Sequence, residues 1–363
     1  MPVVGASASG GHAGKSTILR ALGALGVKSG ARAPPDRHPG HHRIQYASGD
    51  GISQAESAVL PQAAQPTRRE SMHRQGTAWR RRALLAVVGA AAAATFLLNV
   101  SRPGPLAHVG AREATPMPAT LTIATLNLWH DYPRYSRQAE RLQAATLALR
   151  DLSPHVLCLQ EASRTPVVAH AARQLADALG VSGVYVRANG SRALIRFEEG
   201  EAILARGALA NAAWRELSPT AGFFEHRLAI WGAVDTEAGP VVVFSTHITN
   251  KRGPVNAAQI RALVDTVERE RRGLPAVVAG DFNADESAPQ MQALPAHWRD
   301  AFRAARPDAP GATSMDSDRR IDYIFLVDGD GVRWHVLDAD TFGGEDISDH
   351  RGVWARATLV PSR

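Results

Sequence analysis

The sequence predicts a layered α/β fold for its C-terminal two thirds, and three observations carry that prediction. From about residue 119 onward, short apolar runs alternate with stretches of helical period. Apolar residues make up 45% of the 363, enough for a sizeable core. Cys158 is the only cysteine, so packing rather than an internal disulfide framework must hold the fold. Alternation of this kind buries sheets beneath helices.

The N-terminal part reads differently. Residues 1–79 are rich in Gly, Pro, Ser, Ala, His and Arg and lack long periodic apolar stretches, which predicts disorder or a segment outside the working protein. "GHAGKST", residues 11–17, is a degenerate phosphate-binding loop: the Gly required five places before Gly14 is Ser9. Arg80, Arg81 and Arg82 then precede the 18 largely apolar residues Ala83–Val100, the form of a secretory signal or an N-terminal membrane anchor. Pro103 and Pro105 break the run off, and "VGA", residues 109–111, offers a small-residue cleavage site. "RRALL" also weakly suits a twin-arginine signal. Signals begin near a start codon, so translation is expected to start at Met72 rather than Met1. The expected division is 1–79 extension, 80–111 signal peptide or anchor, and 112–363 folded domain. The protein is then exported, periplasmic or secreted, or else tied to a membrane through residues 83–100 if these stay uncleaved.

The elements of that domain follow in order. "TLTIATLNL" is a strand. "RQAERLQAATLALRD" places Ala139, Leu142 and Leu149 on one helical face. "HVLCLQE" is a short buried strand, in which Cys158 reads as a small core residue. "VVAHAARQLADALG" is a helix closed by Gly180. "VVVFSTH" is a strand. In "GPVNAAQIRALVDTVERERRG", Pro254 suits the first helical position, Ile260, Leu263, Val264 and Val267 form a stripe, and Gly273 ends it. "AVVAGD", "IDYIFLV" and "GVWARATLV" are further strands.

Charge is divided along the chain. Residues 1–112 hold 14 Lys+Arg against 4 Asp+Glu, whereas residues 113–363 hold 27 against 31. The domain is thus mildly acidic, and no broad nucleic-acid-binding surface is written into its charge. Neither a Cys-x-x-Cys nor a His-Glu-x-x-His pattern occurs, so a structural zinc site is not expected.

Polar groups recur at the ends of the apolar runs. The first strand ends at Asn127 and the second in Gln160-Glu161; "FSTH" ends in His247. "AVVAGDFN" offers Asp281 and Asn283, "RRIDYIF" contains Asp322, and "ISDH" offers Asp349 and His350. One acid at a strand end is commonly a turn former. Six such places with complementary chemistry point to phosphoester hydrolysis. Asn127 and Glu161 supply the oxygen ligands a hard divalent cation takes. Such a cation neutralises phosphate charge. Asp281 suits the task of orienting and deprotonating a water. His247, Asn283 and His350 are donors for phosphate oxygens and the leaving oxygen. A histidine in that role needs a carboxylate behind it, and Asp322 and Asp349 are available.

With "TLNL", "LQE", "STH", "GDFN", "RIDYIF" and "SDH" in this order, the chain resembles the endonuclease/exonuclease/phosphatase superfamily, the deoxyribonuclease I-like fold, over roughly residues 119–360. The resemblance implies a four-layer α/β sandwich: two mainly antiparallel sheets face to face, flanked by helices, with the site at one edge of both. It implies that Asn127 and Glu161 belong to a metal site taking Mg²⁺, or Mn²⁺. His247 looks like the histidine on the scissile phosphate, Asp281 the residue aligning water, and Asn283 a transition-state donor. Asp322 would pair with a catalytic histidine; Asp349 and His350 look like the final catalytic pair, with Asp349 able to touch the metal. "EGEAILAR", residues 199–206, resembles a family strand whose Ala202 to Arg206 lie near the site. Arg227 resembles a phosphate-facing arginine; an ion pair with a nearby acid is its other reading. The expected activity is a metal-dependent phosphodiesterase or phosphomonoesterase. A secreted nuclease and a non-catalytic binding module are the alternatives. A nucleotide-binding protein using residues 11–17 is a third. The expected partner is a small, lipid-borne or nucleic-acid phosphoester, and the expected working unit is a monomer.

Overall fold

The computed structural model describes residues 68–100, 102–110, 116–222, 224–251 and 253–362, with the side chains of 68–78 and 97–100 excepted. The expectations for residues 1–67, the degenerate phosphate loop included, lie outside the described residues. The chain divides into two units, Met1–Gly89 and Ala90–Arg363. Helix α1, Arg68–Val100, contains the arginine triplet and the apolar run. Its Trp79, Leu84, Leu85, Val87 and Val88 are exposed. Among the described residues no helix is long and apolar enough to cross a membrane.

The second unit includes a strand, β1, Leu106–Val109, inside the segment expected to be signal or anchor. This strand pairs antiparallel with β4, Ser182–Ser191, and the Gly104 amide already donates to the Arg187 carbonyl at 2.7 Å. Four residues with one buried side chain carry too little periodicity to be read as a strand from sequence.

The remaining strands build two sheets. They are β2 Thr120–Asn127, β3 Val156–Gln160, β5 Phe197–Ala205, β6 Ala210–Glu216, β7 Leu228–Thr236, β8 Gly239–His247, β9 Ala276–Asp281, β10 Trp298–Asp300, β11 Asp322–Val327, β12 Val332–Phe342 and β13 Gly352–Pro361. One sheet has the order β1-β4-β5-β3-β2-β13-β12, the other β10-β11-β9-β8-β7-β6. Two pairs are parallel, β2 with β3 and β8 with β9; the others are antiparallel. Each parallel pair is bridged by a crossover helix: α2, Gln138–Leu152, in the first sheet and, in the second, the helix Pro254–Arg271.

Alternation along the strands makes the layers. Leu121, Ile123, Val156, Cys158 and Ile203 face inward and meet Ile230, Val243, Val277, Ala279 and Ile324 of the other sheet. Their neighbours Ala124, Leu126, Leu157 and Leu159 face outward, under α2 and α3, Ala171–Leu179. On the opposite side Phe244, Val278 and Phe325 lie under Ile260, Leu263 and Val267 of the helix Pro254–Arg271. The result is helix, sheet, sheet, helix: the expected four-layer sandwich. Helix α3 starts later than the sequence predicts. His170 caps it, accepting from the Arg173 amide, and Val167 to Ala169 lie outside it. Gly180 closes it with φ 63°, as its sequence position implies. Cys158 is buried, and burial pushes its thiol up to about 12, so it is an inert core residue.

Candidate active site

The two parallel pairs present their carboxyl ends together. Asn127 stands opposite Gln160 at the last rung of β2 and β3, and His247 opposite Asp281 at the last rung of β8 and β9. Asp322 opens β11 directly opposite Asp281 on its other side. Register alone therefore sets His247, Asp281 and Asp322 side by side. Gly280 makes this possible: its φ is 149°, and a Cβ there would collide with the Thr246 carbonyl on the neighbouring strand.

Asp281 is the hub. One oxygen, Oδ1, accepts the Asn283 amide at 2.8 Å. Around Oδ2 stand Asn127 Nδ2 at 3.2 Å, Asn283 Nδ2 at 3.2 Å, His247 Nε2 at 3.4 Å and His350 Nε2 at 3.9 Å. Although it ends a strand, Asp281 is 1% exposed. Burial and then Asp322 raise its pKa to about 7.

The two histidines differ. His350 Nδ1 meets Asp322 Oδ2 at 2.9 Å. Burial works against its charge, but Asp322 and Asp281 more than reverse this and hold its pKa well above the ordinary value. It is a cation at neutral pH. His247 is buried and its Nδ1 lies 2.9 Å from Arg227 Nη1. Arginine only donates, so Nδ1 is the acceptor and Nε2 carries the proton that points at Asp281. Burial, then Arg227, hold its pKa well below the ordinary value, so this ring is neutral.

Asn127 and Glu161 come from the first sheet. The Asn127 Nδ2 bridges Glu161 Oε1 at 3.4 Å and Asp281, while its Oδ1 accepts the Trp129 amide at 3.0 Å. Glu161 leaves β3 with φ 52° and accepts the His130 amide at 3.1 Å. Burial would raise its pKa, but His130, Arg227 and His350 outweigh it and the carboxylate stays below its ordinary range. Asp349 lies beside this pair. Its Oδ1 lies 3.3 Å from Ser348 Oγ, and burial raises its pKa to about 7.

The chemistry of these donors fits a hard divalent cation. Buried carboxylates outnumber the cations, and Asp322 Oδ1 is buried without a partner. Asn127 and Glu161 offer amide and carboxylate oxygens. Asp281, Asp322 and His350 also bring one ligand atom each within 4.8 Å of one another. That trio, however, already spends His350 Nδ1 on Asp322.

Arg227 is largely buried and pairs with a nearby acid, as one of its sequence readings has it: Nε donates to Glu225 Oε1 at 3.3 Å, while Nη1 holds His247. Of Ala202 to Arg206, Ala202 lies opposite Leu159 near the site end of β3, and β5, antiparallel to β3, carries the residues after it toward the far end. There Arg206 donates to the Pro154 carbonyl at 3.1 Å. The site end of β5 is Glu199–Glu201, which sequence reasoning missed. Glu201 is fully buried, 3.9 Å from His247 Nδ1, with both carboxylate oxygens unpartnered. Glu199 is held by Asn189, and His130 faces Glu161 at 3.3 Å. Glu201 directly before the apolar run Ala202 to Ala205 was the available signal.

Comparison with solved structures agrees with this architecture. An endonuclease/exonuclease/phosphatase from Beutenbergia cavernae DSM 12333 is 21% identical, with a TM-score of 0.52 over 66% of this chain and 72% of that one. A counterpart from Bacteroides vulgatus is 18% identical, with a TM-score of 0.54 over 66% and 99%. The human Nocturnin catalytic domain with bound sulfate is 19% identical, with a TM-score of 0.55 over 68% and 97%. At such identities the likeness is one of fold. Comparison with curated proteins gives no match. In sequence, residues 124–350 match the Endonuclease/Exonuclease/phosphatase family, which spans metal-dependent phosphoesterases and nucleases, and the chain belongs to that family.

Proposed function

We propose that the protein is a Mg²⁺-dependent phosphoester hydrolase, acting on phosphodiesters. One observation carries the reading: Asn127 Nδ2 bridges Glu161 Oε1 and Asp281 Oδ2, and a neutral and a protonated histidine face that same Oδ2. Mg²⁺ or Mn²⁺ held by Asn127 and Glu161 would neutralise phosphate charge there. The chain's own groups do the rest. Asp281, with a pKa near neutrality, orients a water and takes its proton. The protonated His350, braced by Asp322, donates to the phosphate or the leaving oxygen. His247 directs Nε2–H into the same space, oriented by Arg227, and Asn283 adds amide donors. Asp349 lies on the cation side.

We further propose a small or lipid-borne phosphoester rather than long duplex DNA. Long nucleic acid is gripped by many free Lys and Arg side chains. Lys251, the only lysine in residues 113–363, is paired with Glu225 at 3.4 Å. Arg319 is paired with Asp285 at 2.8 Å, and Arg320 with Asp300 and Glu286 at 2.6 Å. Arg269 and Arg271 each meet a glutamate at 2.8 Å. These basic side chains are thus paired in place. The protein works exported or membrane-anchored, on the strength of Arg80 to Arg82 and the apolar run after them. The test is a panel of lipid, small-diester, monoester and duplex-DNA substrates over rising salt. The reading expects small or lipid diesters to be fastest. Fast DNA cleavage with a log–log salt slope of several units would overturn the substrate class.

A further inference from the structure

Helix α2 carries a buried cation that the chemistry above does not use. Arg141 is 3% exposed, and its guanidinium donates to four backbone carbonyls. Nε reaches Ser136 at 3.0 Å; Nη1 reaches Leu128 at 3.1 Å and Ile347 at 3.3 Å; Nη2 reaches Trp129 at 2.8 Å. The guanidinium also stacks 4.4 Å from the centre of the Trp129 ring.

These acceptors lie where the two halves of the site begin. Leu128 and Trp129 directly follow Asn127. Ile347 stands just before Ser348, Asp349 and His350. Trp129 is held at φ 46°, a left-handed conformation that a bulky side chain adopts only where its surroundings enforce it. Arg141 supplies that enforcement twice, by hydrogen bond and by stacking. The same two loops are joined once more where Ser348 Oγ donates to the Asn127 carbonyl at 2.7 Å.

We propose that Arg141 is a positioning residue: it clamps the loop after β2 to the loop before β13 and so fixes the spacing between the Asn127 side of the site and the Asp349–His350 side. The functional part of this rests on the reading of the site as a phosphoester hydrolase; the clamp itself does not. A planar fork can serve four carbonyls from one place. A lysine ammonium keeps the charge but cannot span them. Displacement of reacting groups by about 1 Å costs on the order of 10²-fold in rate.

The test uses the full chain with Arg141→Lys, and Arg150→Lys as control. Arg150 lies on the same helix but reaches only the Ala178 carbonyl at the surface. The first measurement is amide exchange at Leu128, Ile347 and Ser348, whose amides bond Gln160 and Gly344. In Arg141→Lys these should exchange at least about tenfold faster, while the interior of α2 is unchanged. The second is turnover of a small phosphodiester with Mg²⁺, expected to fall on the order of 10²-fold in kcat with KM within about threefold. The control should match the wild type in both. Unchanged exchange at the three amides overturns the clamp. Exchange that accelerates equally throughout α2 reduces Arg141 to a general stabiliser and overturns it too. Faster loop exchange with unchanged kcat overturns the positioning role. A wild-type chain without phosphoesterase activity refutes the proposed function instead, and the exchange result still decides the clamp.

Discussion

Replacing Asp322 with Asn changes one charge at nearly constant volume, and the structure says what that charge does. Asp322 Oδ2 holds His350 Nδ1 at 2.9 Å, in a pair whose acid is 1% exposed. Burial alone would discharge His350; Asp322 first and Asp281 second keep it protonated, above its ordinary pKa. A group whose folded pKa is raised contributes stability below its unfolded pKa of about 6.5, and that contribution is lost as pH rises through the folded value. In Asp322→Asn the imidazolium loses its main counter-charge and titrates lower. The alkaline limb of the rate profile should therefore move toward neutral pH. The alkaline loss of stability should move with it. Positioned acid–base groups are worth on the order of 10²–10⁴-fold, so kcat at neutral pH should fall by about 3–5 kcal/mol in barrier terms. The fold should survive, because no core volume is removed, although an amide beside the unpartnered position of Oδ1 costs about 1–3 kcal/mol. The assay is phosphodiester turnover from pH 5 to 10 alongside thermal melting. A kcat within threefold of wild type and an unshifted alkaline limb would refute the reasoning.

Other consequences can be checked in the same material. Glu161→Gln should weaken Mn²⁺ binding at least tenfold by calorimetry while leaving the far-ultraviolet spectrum unchanged, since the proposed role of Glu161 is to hold the metal rather than to pack; equal affinity would remove it from the metal site. Glu286 is held down to about 2, first by its hydrogen bond to Arg303 and then by Arg320, so its contribution is complete above the ordinary carboxylate range and fades as pH falls toward 2. Its side chain is 42% exposed, so solvent screens the pair and the effect stays within about 1 kcal/mol. Melting from pH 2 to 7 should show a shallower acid loss in Glu286→Gln, and superimposable curves would contradict this. A chain begun at Gly104 should melt higher than one begun at residue 112, because the latter lacks β1 and its pairing with β4; equal midpoints would make β1 dispensable.

Much of the fold is legible because the central strands are buried on both faces. β3 and β9 are buried throughout, so each reads as an unbroken apolar run ending in a polar group. β12 shows the opposite case: its exposure alternates irregularly, and its register slips between Val336 and Asp338. No period-2 signal survives there. β4 also slips, between Arg187 and Asn189. The site divides in the same way. Asn127, Glu161, His247, Asp281, Asp322 and His350 stand at strand ends, where a polar residue interrupts an apolar run, and the fold brings them together. Glu199 and Glu201 do not interrupt such a run. Their main charge partner, Arg227, arrives from the other sheet. Arg141 was equally hidden, since its partners are backbone carbonyls as far away as Ile347.

The central claim is that Asn127 and Glu161 hold a divalent cation with which Asp281 and His350 hydrolyse a phosphoester. The most direct measurement is the turnover of a small phosphodiester by the full chain as purified, after EDTA, and after Mg²⁺ is restored, with His350→Ala as the blank. The account predicts turnover that EDTA abolishes and Mg²⁺ restores, and a rate in His350→Ala lower by on the order of 10²-fold or more. Turnover indifferent to EDTA, or equal in His350→Ala, would contradict it.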